Sequence, residues 1–220
     1  MALTKFNYNS FDVTPVASKA MGFNSGANGL TSISPTSMVL IKTLTASSSA
    51  TLSFVDGTSD VVLDDTYPIY VFKFINIHPE EDAVSLSVGF RDGSTAYDAT
   101  KTSSCFNAYH DEADTGTALQ YLTGSDLAQA TGFQPITVQN DSFDNDHGAV
   151  GELKLFSPSS TTFVKHFISR TTSTNRNNYA VDCYVSGYCN VTAAIDAVQF
   201  KMTSGDIDAG KIKLYGIKDS

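Results

Sequence analysis

The chain contains no tryptophan, only three arginines (Arg91, Arg170 and Arg176), three cysteines and six prolines in 220 residues. Each scarcity excludes something. Glycosidases hold two carboxylates across a sugar, one of them in an apolar setting that raises its pKa. Here the acidic groups Asp64-Asp65, Glu80-Glu81-Asp82 and Asp111-Glu112-Asp114 fall in loops or at strand ends, and no Trp is present to stack a sugar. They read as solvated charge. Lys and Arg number 14 against 23 Asp and Glu, a formal charge of −9, and the basic residues form no cluster along the sequence. Phosphate backbones reward clustered Lys and Arg through counterion release, so nucleic acid is not an expected partner. The odd cysteine count argues against a complete disulfide framework. Cys183 and Cys189 would share one face of an unbroken strand, too far apart along it to bridge, and all three cysteines read as buried or half-buried free thiols.

Long apolar runs are also missing. None approaches the roughly 18 residues of a membrane-spanning helix. The start, Met1-Ala2-Leu3-Thr4-Lys5-Phe6, has no apolar core of a signal peptide, which leads us to expect a protein made in a cytoplasm without classical export. His78, His110, His147 and His166 are scattered, with no i, i+4 pair and no cysteine at zinc spacing. The Asp141–Asp146 loop has the oxygen-donor density that calcium favours, through Asp141, Asp144 and Asp146. It lacks EF-hand spacing, and an Asx-rich turn is the expected reading. Neither a nucleophile elbow nor a glycine-rich phosphate loop occurs. We therefore expect no catalytic residues, no metal and no cofactor.

What the chain does have is alternation. Val198, Phe200 and Met202 alternate with Gln199, Lys201 and Thr203; after a polar Gly-Asp turn, Ile212 and Leu214 alternate with Lys211, Lys213 and Tyr215. Side chains on a strand point to opposite faces with period two, so this reads as a pair of strands with one buried and one wet face. Further strands are predicted over 38–44, 84–90, 135–138, 152–156, 162–168 and 179–188, with a hairpin joining 50–55 to 61–63 across Asp56-Gly57. Residues 68–77 are apolar on nearly both faces, which predicts a central strand with Pro68 at its start. Residues 94–146 are the least regular, with a short helix predicted within 118–130. Ten or eleven strands with almost no helix predict an all-β fold, a two-sheet β-sandwich of jelly-roll type.

Residues 1–36 show no lasting period and form an extended N-terminal arm, leaving 37–220 as the sandwich domain. The arm's isolated aromatics Phe6, Tyr8, Phe11 and Phe23 are candidate interaction residues that would anchor it in grooves on a partner. Tyr97, Tyr109, Tyr121, Tyr179, Tyr184 and Tyr188 suit protein interfaces, glycan stacking or plain sheet surface.

Four stretches carry a resemblance: Tyr70 to Pro79, Gly151 to Ser159, Gly187 to Thr192, and Ala197 to Gly216 with its Ser-Gly, polar insert, Gly and Leu-Tyr-Gly ending. Together they make residues 66–218 resemble a β-sandwich family of tailed-bacteriophage virion proteins. The likeness is nearest to those of marine phages infecting cyanobacteria and ocean heterotrophs. The matching positions are structural. The resemblance implies a tail-fibre, head-fibre or capsid-decorating protein, often trimeric, located in the virion and assembled in the host cytoplasm. Its implied partners are other virion proteins, further copies of itself and, for a fibre, a host surface glycan; no nucleic acid and no membrane are implied.

Overall fold

The computed structural model describes residues 20–23, 26, 29–33, 37–138, 146–175 and 178–219. Fourteen strands and no helix occur among them. A separate hairpin comes first, β1 (Ala20–Phe23) against β2 (Leu30–Ile33). The chain continues through β3 (Met38–Ser49), β4 (Leu52–Val55), β5 (Ile69–Pro79), β6 (Leu86–Arg91), β7 (Lys101–Asp111) and β8 (Thr117–Tyr121). It then forms β9 (Gln134–Pro135), β10 (Ala149–Phe156), β11 (Lys165–Asn175), β12 (Tyr179–Cys189), β13 (Ala197–Met202) and β14 (Ile207–Ile217).

The strands form an all-β sandwich. The larger sheet has eight strands in the order β3-β14-β5-β10-β11-β12-β7-β8, and the smaller has four in the order β4-β13-β6-β9. Half of the larger sheet, β3-β14-β5-β10, matches the smaller one strand for strand: β3 leads into β4, β5 into β6, β9 into β10 and β13 into β14. Each connection crosses from one sheet to the other, which is the jelly-roll path. The remaining four strands, β11-β12-β7-β8, extend the larger sheet beyond the jelly roll.

The jelly-roll half has an apolar interior. Phe54, Phe72, Phe74 and Phe200 pack edge to face, with centroids 5.3 Å apart in three pairs and 6.3 Å in the fourth. Such pairing adds about 1 kcal/mol per pair to simple burial. As predicted, β5 is central, hydrogen-bonded on one side to β14 and on the other to β10.

The extension is built differently. Its inward positions include buried Lys101, Asn107, Lys165, Ser169, Thr171, Ser173 and Asn175. Much of their cover comes from the segment 122–138, whose backbone supplies partners for the polar groups. The Thr171 hydroxyl donates to the carbonyl of Ile136. The Ser103 hydroxyl binds Gln134 Oε1 and accepts from the Leu127 N–H at 2.9 Å, while Gln134 Nε2 donates to the Ser125 carbonyl at 2.7 Å. Lys101 Nζ donates to the Ala99 carbonyl at 2.7 Å, and Lys165 Nζ to the Val191 carbonyl at 2.8 Å.

Several expectations are corrected. The C-terminal strands β13 and β14 do not pair: β13 lies between β4 and β6, β14 between β3 and β5. Both alternate because each sheet has one inward face, and periodicity carries no information about which sheet a strand joins. Residues 61–63 form no strand; Asp56-Gly57 does turn, with Gly57 at φ 71°, but β4 pairs with β13. Within 118–130, residues Thr117–Tyr121 are strand β8, paired along β7. A short isolated helix is marginal, whereas the open edge of β7 satisfies the backbone at once. Strand β7 leaves little trace in the sequence because Lys101, Ser103, Asn107 and Asp111 hold four of its inward positions. Within residues 1–36, Ala20–Phe23 and Leu30–Ile33 form the β1–β2 hairpin.

The chain enters the sandwich beside the point where it leaves. Met38 pairs with Ile217, and the Lys218 N–H donates to the Ser37 carbonyl at 2.8 Å.

Candidate functional site

The outer face of the eight-stranded sheet is the candidate surface. Outward side chains line up in rows across the strands, because pairing register sets which residues are neighbours. One row runs Thr43, Lys213, Lys73, Glu152, Arg170, Tyr184, Phe106, Tyr121, from β3 to β8.

The extension end of this row is aromatic. Phe106 and Tyr184 stack with centroids 4.9 Å apart and planes 3° apart, and the Arg170 guanidinium lies 5.0 Å from the Tyr184 centroid. Arg170 also holds Asp182 through two hydrogen bonds of 2.8 and 3.2 Å, which raises its already high pKa. The ring faces cover one another across strands, so this ladder fixes register instead of offering a flat platform. Apolar exposure peaks beyond it: Leu119 is 74% exposed and Tyr121 53%, on an edge strand bonded to β7 alone.

The jelly-roll end is charged. Lys73 and Lys154 both reach Glu152, the latter at 2.9 Å. Partial burial would raise the Glu152 pKa, but the two ammonium donors outweigh it and hold the carboxyl below the ordinary range. Lys213 lies directly opposite Lys73, and Lys211 two residues earlier on the same face. Neither has an acidic partner among the described residues.

Among the described residues, grooves mark this face, three of them on or beside the row. The largest, about 760 Å³, has a floor of Ser104, Ser186 and Gly187 and walls that include His166, Ile168 and Tyr188. The other two, about 490 and 540 Å³, flank the Lys73–Glu152 pair.

The predicted sites distribute as follows. Phe6, Tyr8 and Phe11 lie outside the described residues; Phe23 ends β1, 72% exposed. Tyr184, Tyr188 and Tyr121 belong to the outer face, while Tyr109 and Tyr179 stack on each other at 5.1 Å on inward positions of the extension. Tyr97 sits 6.5 Å from Phe133. The acidic groups build turns: Asp111 accepts from Thr115 and Gly116, Asp64 from Thr66, and Glu80 Oε2 from the Asp206 N–H. The Thr115 hydroxyl, followed by the backbone donors, lowers the Asp111 pKa.

Asp141 and Asp144 lie outside the described residues, and Asp146 lines a pocket with Asn76, His78, His147 and Asp208. There His78 Nδ1 is 3.6 Å from Asp208 Oδ2, and both ring nitrogens are buried without a hydrogen bond among the described residues. Among the described residues, no three His, Cys, Asp or Glu side chains converge as metal ligands.

Cys183 and Cys189 are buried on one face of the unbroken β12, as their spacing predicts, and neither is in a disulfide. Two arrangements were not foreseen. Cys105 Sγ lies 4.0 Å from Cys183 Sγ, and Cys189 sits in register between the buried Lys101 and Lys165. Burial pushes the Cys189 thiol up to about 12 despite the two lysines. The outer-face row was missed too, although its members hold alternate positions on their strands; only the pairing register assembles them.

No family model, curated protein or solved structure matches the chain.

Proposed function

We propose that the chain is a non-enzymatic structural protein of a tailed-bacteriophage virion, decorating or cementing the capsid. In this reading its N-terminal arm docks on the particle, and the sandwich associates with further copies, as a trimer, and faces outward. The sequence resemblance supplies the virion context. The observation that supports an assembly role is the extension end of the large sheet, where Leu119 and Tyr121 of the open edge strand β8, with Phe106 of the adjoining β7, form an exposed apolar surface. Exposed apolar area of this kind marks protein contact surfaces. The separate β1–β2 hairpin adds Met21 and Phe23, 57% and 72% exposed. A lone two-stranded hairpin is marginal in water, so a partner would stabilise it.

A second reading has its own support. The 760 Å³ groove, with a hydroxyl-rich floor and the Tyr188 and His166 rings in its walls, suits a tail-fibre protein attaching to host glycans. Immunogold labelling of intact virions separates the two. Hundreds of labels over the head mean decoration, a few at the tail mean a fibre, and no label on particles removes both.

A further inference from the structure

Five basic side chains that are scattered in sequence, Lys73, Lys154, Arg170, Lys211 and Lys213, come together on the outer face of the large sheet, with Glu152 and Asp182 as the acids in the same rows. They do so in a chain whose formal charge is −9. The local excess is therefore opposite in sign to the protein as a whole. It is also incompletely neutralised. Glu152 is shared by two lysines, Asp182 serves Arg170, and Lys211 and Lys213 are left with no acid among the described residues. Lys213 directly faces Lys73 across β14 and β5, and like charges in that position weaken a sheet.

We infer that this lysine face binds an acidic glycan, one carrying carboxylate or sulfate groups along an extended chain. Charge complementarity selects an anion. The two smaller grooves select a sugar chain among anions. One is lined by Thr172, Glu152 and Asp182 beside Lys73 and Arg170, a mixture of donors and acceptors that matches hydroxyls. The other continues past the Lys73–Glu152 pair over Ile69, Val71, Phe156 and Ile217, apolar ground for the C–H faces of sugar rings. Single-stranded nucleic acid fits less well, because base stacking needs free ring faces and those of Phe106 and Tyr184 are turned on each other. The inference deepens the attachment reading by naming a ligand class and a site, and it rests on that reading only for where such a glycan would be met.

The test is calorimetric titration of the full chain with an alginate oligosaccharide (carboxylate), a heparin oligosaccharide (sulfate), a neutral dextran oligosaccharide and a single-stranded DNA oligomer. We expect at least one acidic glycan to bind at low salt, the neutral one not to bind, and added salt to abolish binding. The double variant Lys211→Gln/Lys213→Gln should lose about tenfold or more in affinity, from two charge-assisted contacts, with a thermal melt no lower than the parent's, because Lys213 no longer opposes Lys73. Lys201→Gln is the control, since that ammonium lies 4.4 Å over the Phe133 ring, away from this face. Binding of neither acidic glycan, equal affinity in the double variant, or equal binding of dextran would overturn the inference. Tighter binding of the DNA would give the face to nucleic acid instead. Virion labelling is independent of all these outcomes, so failure here leaves the particle assignment standing and the reverse also holds.

Discussion

The two halves of the large sheet solve the same burial problem with different chemistry. In the jelly-roll half, rings from both sheets interlock and the inward faces of the long strands are largely apolar. In the extension, Ser, Thr, Asn and Lys share the inward positions with Cys105, Phe167, Cys183, Val185 and Cys189, and the covering segment 122–138 contributes backbone groups as much as side chains. An apolar core tolerates imprecision, because dispersion and burial are non-directional. A polar interior does not, since each buried group needs a partner at the right place. The jelly roll therefore supplies stability, while the extension supplies a uniquely specified surface for its stacked ladder.

That contrast can be attacked directly. The largest effect is expected from Phe200→Ala, which removes the ring shared by three aromatic pairs; chemical denaturation should show a loss of about 3–5 kcal/mol. Thr171→Val should cost less, about 1–3 kcal/mol, by orphaning the buried Ile136 carbonyl without changing side-chain shape. A Val variant as stable as the parent would mean that the polar interior is not held by its hydrogen bonds. Phe106→Ala on the outer ladder should cost about 1 kcal/mol, and Tyr184→Ala somewhat more, because it removes the Arg170 contact as well as the stack.

The last effect is one of pH and is confined to alkaline conditions. The Cys189 thiol ionises near 9 when unfolded and at about 12 in the fold. Its contribution is fully present below pH 9 and declines as pH rises toward 12, because the native state then holds the extra proton. Lys101 and Lys165, whose pKa values burial lowers, act in the opposite sense: stability rises with pH below their ordinary 10.5. Comparing melts of the parent and Cys189→Ala isolates the thiol. The variant should lose less stability than the parent between pH 9 and the Cys189 value of about 12; parallel curves would show that Cys189 does not titrate as a buried thiol.

These two chemistries also explain what could be read in advance. The all-β class and the shared buried face of Cys183 and Cys189 follow from period-two spacing, and the central place of β5 from a run that is apolar on nearly both faces. Strand β7 left no such trace, because Lys101, Ser103, Asn107 and Asp111 occupy inward positions and look like loop residues. The separation of β13 from β14 was hidden for another reason. A tight turn between alternating strands is the same in sequence whether the chain folds back in one sheet or crosses to the next. Of the candidate surface, single members such as Tyr184 and Tyr188 were legible, but not the row. Lys73, Glu152, Arg170 and Lys213 are far apart in the chain and meet only through pairing register.

The adjacent entry and exit of the chain, Met38 beside Ile217, has a mechanical meaning. Tension applied between the arm and the far terminus would load the β3–β14 ladder from one end, opening its hydrogen bonds one after another like a zipper. Tension between the arm and the opposite end of the sandwich would load the same ladder in shear, with many bonds resisting together. A copy anchored by its arm and gripped at its distal loops would thus withstand forces that would peel a copy held by its two ends.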